Sequence, residues 1–232
     1  MATGPEGCSI IAEFGSSIVR SPFGFETWLC SAAAAGATHV KVQLFRAEHF
    51  PPVEQAGKRR LEFPRARLPE FVEMAHRYGV KAGASVFDAE AVELAAEYCD
   101  FLKLAAREQD NQELAMHALN KSIVNTLTLY RSVSDLKYRW LPSGFAPGIT
   151  LWAIQAYPAP MPKSLVMAWR AWRNGIDGWS SHTTGALDCI LAARLGASVL
   201  EKHFALEAGD VEAGHSLLPA AFRRMTNAIR LI

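Results

Sequence analysis

The sequence lacks the long apolar runs and the charge imbalance that mark several large classes of protein. No apolar run approaches the roughly 18–20 residues that a membrane-spanning helix needs. Residues 1–9 contain no basic segment followed by an apolar core, so we expect no secretory signal. The formal net charge of +1 gives no electrostatic basis for binding nucleic acid or an anionic membrane surface.

Cysteine is also scarce, and its spacing excludes the common zinc-binding motifs. The four cysteines are Cys8, Cys30, Cys99 and Cys189, and no two of them lie close together in the sequence. We interpret them as buried free thiols of a protein in the reducing cytoplasm. The length of 232 residues suffices for one large domain with a substantial core.

What the sequence does contain is an alternation of strand-like and helix-like segments. Apolar, β-branched segments predict strands at residues 8–14, 38–45, 80–87, 100–105, 122–129, 149–156, 175–182 and 198–206. Helical patterns fall at residues 25–36, 68–78, 89–98, 112–119, 163–173, 184–195 and 219–232, and residues 46–67 are predicted as a long loop. The alternation indicates a parallel sheet in an α/β fold. Eight units of this length fit a single (β/α)8 TIM barrel over residues 1–232 better than an open sheet.

Polar residues interrupt nearly every predicted strand, although strands of a parallel sheet are normally aliphatic on both faces. They are Glu13, Lys41, Gln43, Ser85, Lys103, Gln155 and Tyr157, with Glu108 just beyond the fourth strand. Because these residues alternate with aliphatic ones, we expect them to face the barrel interior. Barrel enzymes place their chemistry at the C-terminal ends of such strands.

The last two predicted strands each carry a histidine. Ser180 and His182 are two residues apart and share one face of the seventh strand, as do Glu201 and His203 on the eighth. If these strands are parallel neighbours, two imidazoles, a carboxylate and a hydroxyl converge at one end of the sheet. Such a set predicts a site for a divalent metal and an oxygen-rich ligand.

The two strand lysines predict an anionic ligand. Lys41 and Lys103 would repel each other in one cavity unless an anion lay between them, which suggests a ligand with phosphate, carboxylate or both. Glu13, Glu108 and Glu201 could balance them, order water or transfer protons. Structural alternatives stand beside these roles. An interior lysine can simply pair with a glutamate, a lone buried histidine is more often a core residue, and Ser85, Gln155 and Ser180 can be plain packing.

Six segments in family order resemble the sialic acid synthase (N-acetylneuraminate synthase) family. They are IIAEFG at residues 10–15, AGATHVKVQ at 35–43, FLKL at 101–104, YPAP at 157–160, SSHTTG at 180–185 and LGASVLEKHF at 195–204. Enzymes of this family condense phosphoenolpyruvate with an aldehyde sugar. The match covers the barrel and stops without the antifreeze-like domain that usually follows it.

The resemblance implies a TIM barrel and a role for each polar position. Manganese or magnesium would be held by His182 and His203. Phosphoenolpyruvate would be contacted by Lys41, Ser85, Lys103, Gln155, Tyr157 and Ser180. Among the catalytic residues, Glu13 and Glu108 would act near the reacting carbons and the acceptor sugar, and Glu201 near the metal. Lys103 would be catalytic as well as a donor contact. The reaction would add the enol carbon to the aldehyde, add water and release phosphate by C–O cleavage, with the metal as a Lewis acid.

The sequence also departs from the family at several positions. Residues 17–20 replace an Asn-His-Asn-Gly-type stretch, Ala106 replaces a hydroxyl-bearing residue, Asn125 begins the segment that replaces Ser-Thr-Gly, and Ser181 replaces an aspartate. Either the acceptor sugar differs from that of sialic acid synthesis or catalysis is impaired. The alternatives to a synthase are therefore a catalytically silent barrel that binds a ligand or partner, and another metal-dependent aldolase or isomerase of sugar phosphates. A cytoplasmic homodimer is one expectation, because barrels of this kind often dimerise.

Overall fold

The structure is a computed structural model that describes residues 8–108, 110–121, 124–129, 148–161 and 176–232. Within these ranges no helix has both the length and the apolar composition needed to cross a membrane. The predicted helix at 163–173 and the segment at 130–147 lie outside the described residues.

In the part of the chain that the structure describes, eight parallel strands form the sheet. They are β1 (Ser9–Glu13), β2 (His39–Leu44), β3 (Lys81–Val86), β4 (Phe101–Leu104), β5 (Val124–Leu129), β6 (Ile149–Ala153), β7 (Gly178–Ser181) and β8 (Val199–His203). Each pairs with the next in sequence order, and β8 pairs with β1, so the sheet curls into a closed ring. The predicted α/β class and parallel sheet are confirmed. The complete (β/α)8 repeat also requires helices after β5 and β6, in segments outside the described residues.

Helices follow the strands wherever the intervening chain is described at length. They are α1 (Ser17–Arg20), α2 (Phe25–Ala34), α3 (Pro52–Lys58), α4 (Leu68–Arg77), α5 (Ala89–Tyr98), α6 (Gln112–Leu119), α7 (Leu187–Arg194) and α8 (Pro219–Arg230). Local signals explain several of these boundaries. Asp88 caps α5 by accepting a hydrogen bond from the Ala91 amide, and Pro219 occupies the first turn of α8.

The inside of the barrel consists of an apolar layer beneath a polar one. Ile11, Phe101, Leu151 and Val199 pack together as the apolar layer. Two residues further along their own strands, and therefore on the same face, come Glu13, Lys103 and Glu201. The apolar layer thus closes the barrel below the polar groups, which lie at the C-terminal ends of the strands.

Gly83 on β3 makes room for the apolar layer. A Cβ built on Gly83 would lie 2.4 Å from the Phe101 ring, so any side chain there would displace the ring. The outer faces of the strands pack against the helices through aliphatic residues such as Val40, Val42 and Leu44, all fully buried. The alternation seen in the sequence therefore separates the helix-facing core from the interior.

The prediction of a long loop at residues 46–67 is wrong, because this segment carries α3 and short 3₁₀ turns. Pro52 fixes the first turn of α3 in a helical conformation. Arg65 anchors the segment to the barrel: it donates to the Leu44 carbonyl at 2.6 Å and to Asp88 Oδ2 at 2.5 Å.

The cysteine interpretation is corrected at one position. All four are free thiols; Cys189 is buried, Cys8 and Cys99 are half-buried, but Cys30 is exposed on α2. Burial raises the pKa of Cys8 to about 11 and that of Cys99, beside Asp100, to about 12. These two thiols are therefore protonated and unreactive near neutral pH.

Candidate functional site

The polar layer of the barrel contains two lysines and two glutamates that are almost entirely buried. The exposed fraction is 5 % for Lys103 and 1 % for each of Lys41, Glu13 and Glu201. The strand register aligns them, because Glu13 on β1 is level with Lys41 on β2 and with His203 on β8. Charged groups buried to this extent must compensate one another.

Glu201 connects the two lysines. Its Oε1 accepts hydrogen bonds from Lys103 Nζ at 2.5 Å and from Ser180 Oγ at 2.8 Å. Its Oε2 lies 3.5 Å from Lys41 Nζ, and Lys41 also forms an ion pair with Glu13. Charges of alternating sign therefore run across the barrel. The carboxylate of Glu201 occupies the place between the lysines where the sequence suggested an anion.

Neighbouring polar groups complete this network. Ser85 Oγ accepts a hydrogen bond from Lys41 Nζ at 2.5 Å. Glu13 Oε1 accepts from the Gly15 amide at 2.7 Å and from Gln43 Nε2 at 3.4 Å. Of the residues predicted to bind substrate, Lys41, Ser85, Lys103 and Ser180 are therefore brought together with Glu13 and Glu201.

Burial changes the protonation of this layer. Burial, reinforced by Lys103 and opposed by Glu201, lowers the pKa of Lys41 to about 7. Burial by itself would raise the pKa of Glu201, but Lys103 and Lys41 outweigh it and hold the pKa well below its usual range. Glu201 is therefore a carboxylate at neutral pH, whereas Lys41 is poised to exchange a proton.

His182 and His203 lie together beside the charged layer, as the sequence predicted. Their ring centroids are 5.4 Å apart, and each side chain is 4 % exposed. His182 Nδ1 is 2.8 Å from the Ile154 carbonyl oxygen. Because a carbonyl only accepts, Nδ1 carries the proton and Nε2 keeps its lone pair. Burial, with His203 nearby, lowers the pKa of His182 to about 3, so the ring is the neutral form that ligates metals.

Three other predicted residues lie at the rim of the layer. Tyr157 is 54 % exposed, and its ring lies 4.3 Å from that of His182 between centroids. Gln155 is exposed on the chain that leaves β6. Glu108 is half-buried in a 3₁₀ turn after β4, where it accepts a hydrogen bond from Asn111 and lies 3.6 Å from Arg107. None of the contacts described for Glu108 reaches the buried layer.

Two side chains absent from the sequence prediction join the histidines. Glu212 Oε2 is 2.9 Å from His203 Nδ1 and 3.9 Å from His215 Nε2. The rings of His203 and His215 are 4.5 Å apart. The sequence signal that could have identified them is the Glu-x-x-His motif of residues 212 and 215, which metal-binding helices also use. The motif begins nine residues after His203 on β8.

Gly15 leaves the space that the Glu212 carboxylate occupies. A Cβ on Gly15 would lie 1.9 Å from Glu212 Oε2, and the φ of +52° at Gly15 is one that glycine adopts without strain. Burial would raise the pKa of Glu212, but its hydrogen bonds with His203 and with the Ser16 amide lower it to about 2. The neutral imidazole of His182 and this carboxylate beside His203 suit a divalent cation.

The sequence profile of the NeuB family matches residues 29–232. The chain belongs to the NeuB family. A curated relative, an uncharacterised protein of Methanocaldococcus jannaschii, is 25 % identical over 218 residues, which are 87 % of this chain and 64 % of the relative. The chain therefore spans less than two thirds of that relative's length.

Solved structures share the fold of this NeuB-family chain. An N-acetylneuraminic acid (sialic acid) synthetase from Leptospira borgpetersenii superposes with a TM-score of 0.81 at 20 % identity, over 98 % of this chain and 85 % of the other. The spore coat polysaccharide biosynthesis protein spsE from Bacillus subtilis superposes with a TM-score of 0.79 at 23 % identity, over 99 % of this chain and 69 % of the other. A phospho-2-dehydro-3-deoxyheptonate aldolase from Thermotoga maritima superposes with a TM-score of 0.70 at 14 % identity, over 97 % of this chain and 68 % of the other. At these identities the similarities establish the fold alone.

Proposed function

We propose that this chain is a phosphoenolpyruvate-dependent transferase that joins the enol carbon of phosphoenolpyruvate to the carbonyl carbon of an aldehyde sugar. Water is consumed, phosphate is released by C–O cleavage, and the product is a 2-keto-3-deoxy acid of the sialic acid type. The observation that carries the proposal is the buried layer in which Lys41 and Lys103 flank Glu201 beside His182 and His203. Membership of the NeuB family supports it.

The lysines would hold the anionic donor. An anion that enters from the C-terminal end of the barrel meets the ammonium groups of Lys41 and Lys103 and the hydroxyls of Ser85 and Ser180. These groups are already oriented by hydrogen bonds, so little reorganisation is required when phosphate or carboxylate binds. Gln155 and Tyr157, exposed at the rim, would contact the donor from the solvent side.

The histidines would hold a divalent cation, manganese or magnesium, which would act as a Lewis acid toward the acceptor carbonyl. His182 suits this role because the Ile154 carbonyl fixes its Nδ1 as the donor and leaves the Nε2 lone pair free. His203 is fixed in turn by Glu212 at its own Nδ1.

The carboxylates would act on water and on the acceptor. Glu201 Oε2 has no hydrogen-bond partner among the described residues, although Glu201 Oε1 has two. With its low pKa, Glu201 is a hydrogen-bond acceptor that can orient the attacking water rather than a strong base. Lys103, hydrogen-bonded to Glu201, would stabilise the charge on the departing phosphate. We assign Glu13 and Glu108 to the acceptor side.

We also propose that residues 1–232 form one (β/α)8 synthase-like domain that acts in the cytoplasm on small molecules. Dimerisation, as in other barrels of this kind, would be its quaternary state. The acceptor would be an aldehyde other than that of sialic acid synthesis, because residues 17–20, Ala106, Asn125 and Ser181 depart from the family pattern.

A catalytically silent barrel that binds a ligand or partner is the second candidate, and one observation favours it. Both lysines are already neutralised by Glu13 and Glu201 within the chain, so neither Lys41 nor Lys103 keeps an unpaired positive charge for an anion. In this reading Lys41 and Lys103 would be structural, and a metal would at most stabilise the fold.

Phosphate release tests the proposal. The chain is incubated with phosphoenolpyruvate, Mn²⁺ and a panel of aldoses with and without N-acetyl and phosphate groups, in water enriched in ¹⁸O. We expect phosphate release that depends on one class of aldose, with ¹⁸O in the product acid and not in the phosphate. Turnover of a phosphorylated sugar without phosphoenolpyruvate would instead identify an aldolase or isomerase, and no turnover at all would favour the silent barrel.

A further inference from the structure

An upper apolar layer lies above the charged layer on the side of the barrel formed by β2, β3 and β4. It consists of Phe45, Phe87 and Ala105, each two residues beyond a polar residue of the same strand and therefore on the same inward face. Phe50 and Leu61, from the segment that follows β2, pack against this layer. The segment therefore covers the mouth of the barrel on this side.

Two cations contact the ring of Phe50 at this mouth. Lys58 Nζ lies 4.5 Å and Arg107 Cζ lies 4.3 Å from the ring centroid, so the two charges are within about 9 Å of each other. Lys58 is the last residue of α3, and Arg107 belongs to the 3₁₀ turn after β4. The ring thus brings together positive charges from two separate segments of the chain.

This positive charge is only partly compensated within the chain. Among the described residues, Lys58 Nζ contacts the Phe50 ring and no carboxylate. Arg107 donates from Nη2 to the His49 carbonyl at 2.9 Å, and its Nε lies 3.6 Å from Glu108 Oε1. The Arg107 side chain is 34 % exposed, and its Nη1 forms no hydrogen bond with a described residue. Because the two cations repel each other, an anion that lies between them would be stabilised by both.

The height of these cations above the charged layer matches the length of a sugar. Arg107 is four residues beyond Lys103, so at about 3.3 Å per residue it lies roughly 10–13 Å further toward the solvent. An aldose of four to six carbons whose aldehyde meets the charged layer extends over most of this distance, and a terminal phosphate covers the rest. Phosphate oxygens are strong acceptors for ammonium and guanidinium donors.

We propose that the acceptor is a phosphorylated aldose whose terminal phosphate is bound by Lys58 and Arg107 beside Phe50. The inference rests on the proposed function, because it names the class of acceptor for that reaction. Arg107 contributes its free Nη1 and Lys58 a point charge, while phosphoenolpyruvate occupies the buried lysines below. The two phosphate groups are therefore held at opposite ends of the cavity.

Binding of matched sugars tests the proposal without turnover. Mannose, ribose and their terminal phosphate monoesters are titrated into the full chain, with and without millimolar phosphoenolpyruvate. We expect at least one phosphorylated aldose to bind about tenfold or more tightly than its parent sugar in both conditions. Arg107→Gln and Lys58→Gln should each remove most of this preference. Arg67→Gln is the matched control and should preserve it, because Arg67 also lies over a ring, that of Phe25, but is paired with Glu70.

Equal affinity for the phosphorylated and the parent sugars would overturn the proposal, as would a preference that survives either variant. A preference that is lost when phosphoenolpyruvate is added and kept in Arg107→Gln would place the sugar phosphate at the buried lysines instead. Should Arg107→Gln not fold, Lys58→Gln decides, because Lys58 forms no hydrogen bond with a described residue. Failure of the synthase proposal would look different: the preference and its dependence on Lys58 would remain, but no aldose would cause phosphate release from phosphoenolpyruvate.

Discussion

Lys103 Nζ on β4 lies 2.5 Å from Glu201 Oε1 on β8, so an ion pair crosses the inside of the barrel between opposite strands. Both side chains are almost inaccessible to solvent. The pair lies directly above the apolar layer that contains Phe101 and Val199, two residues earlier on the same strands. The same ion pair therefore contributes to the stability of the barrel and positions two residues of the candidate site.

Breaking this pair should cost far more stability than breaking a similar pair on the surface. Lys103→Met leaves Glu201 buried with only Lys41 to compensate it, and we expect the free energy of unfolding to fall by about 3–5 kcal/mol. The matched control is Lys121→Met. Lys121 Nζ is also 2.5 Å from a carboxylate, that of Glu93, but Glu93 is exposed, so the loss of stability should be much smaller. Urea unfolding measures both, and equal losses would contradict the argument from burial.

Binding of phosphoenolpyruvate should take up a proton at pH 8. The pKa of Lys41 is about 7 in the free chain, so at pH 8 this lysine is mostly neutral, and a bound anion raises its pKa. Between the two pKa values the complex holds a proton that the free chain lacks, so uptake approaches about one proton and affinity falls as pH rises from 7 to 9. Calorimetry in buffers of different ionisation enthalpy measures the uptake.

The proton should be assigned to Lys41 by comparing two variants. Lys41→Gln removes the uptake, whereas Lys58→Gln, a change in α3 away from the buried layer, preserves it. Uptake that persisted in Lys41→Gln would assign the proton to another group.

Gly15→Ala should displace the Glu212 carboxylate. The new Cβ would meet Glu212 Oε2 at 1.9 Å, and the backbone at φ +52° is strained for alanine. We expect a loss of stability of about 1–2 kcal/mol from the backbone alone and Mn²⁺ binding weakened at least about tenfold. Gly57→Ala is the control, because Gly57 lies within α3 with open space at its Cβ. That change should stabilise the chain by up to about 1 kcal/mol and leave metal binding unchanged.

Removal of the metal should abolish turnover of the unchanged chain, and added metal should restore it. The His203→Ala variant should stay inactive when metal is added. Treatment with a chelator followed by excess Mn²⁺ restores turnover only if the ligands remain. His203→Ala lacks one of the two imidazoles proposed to hold the metal, so added Mn²⁺ should not restore its activity. Full activity of His203→Ala, or of the chelated chain, would exclude a metal at this position.

The sequence predicted the sheet and the buried layer because both depend on alternation along single strands. A lysine between two leucines of a strand, as at Lys103, indicates that the lysine faces the barrel interior. This inference needs only the strand itself and no knowledge of the other elements. The same reasoning located His182 and His203, since each ends a strand whose apolar pattern is clear. The strand bounds differ from prediction by a few residues at their ends, where the apolar pattern continues into the loops.

The loop residues could not be derived in this way. Glu212 and His215 lie in a segment with no periodic pattern, and their approach to His203 depends on contacts with Ser16 and Ser17, almost two hundred residues earlier. The contacts described for Glu108, which is predicted to act near the reacting carbons, are with Arg107 and Asn111. Its position follows from how the chain turns after β4, which the strand pattern does not specify.

The measurement that tests the central claim most directly is calorimetric binding of phosphoenolpyruvate with and without Mn²⁺. The account predicts micromolar binding that tightens when Mn²⁺ is present and that becomes weaker, but stays measurable, in Lys41→Gln. No binding of phosphoenolpyruvate at millimolar concentration, with Mn²⁺ present, would contradict it and would make the ion pairs of Lys41 and Lys103 purely structural.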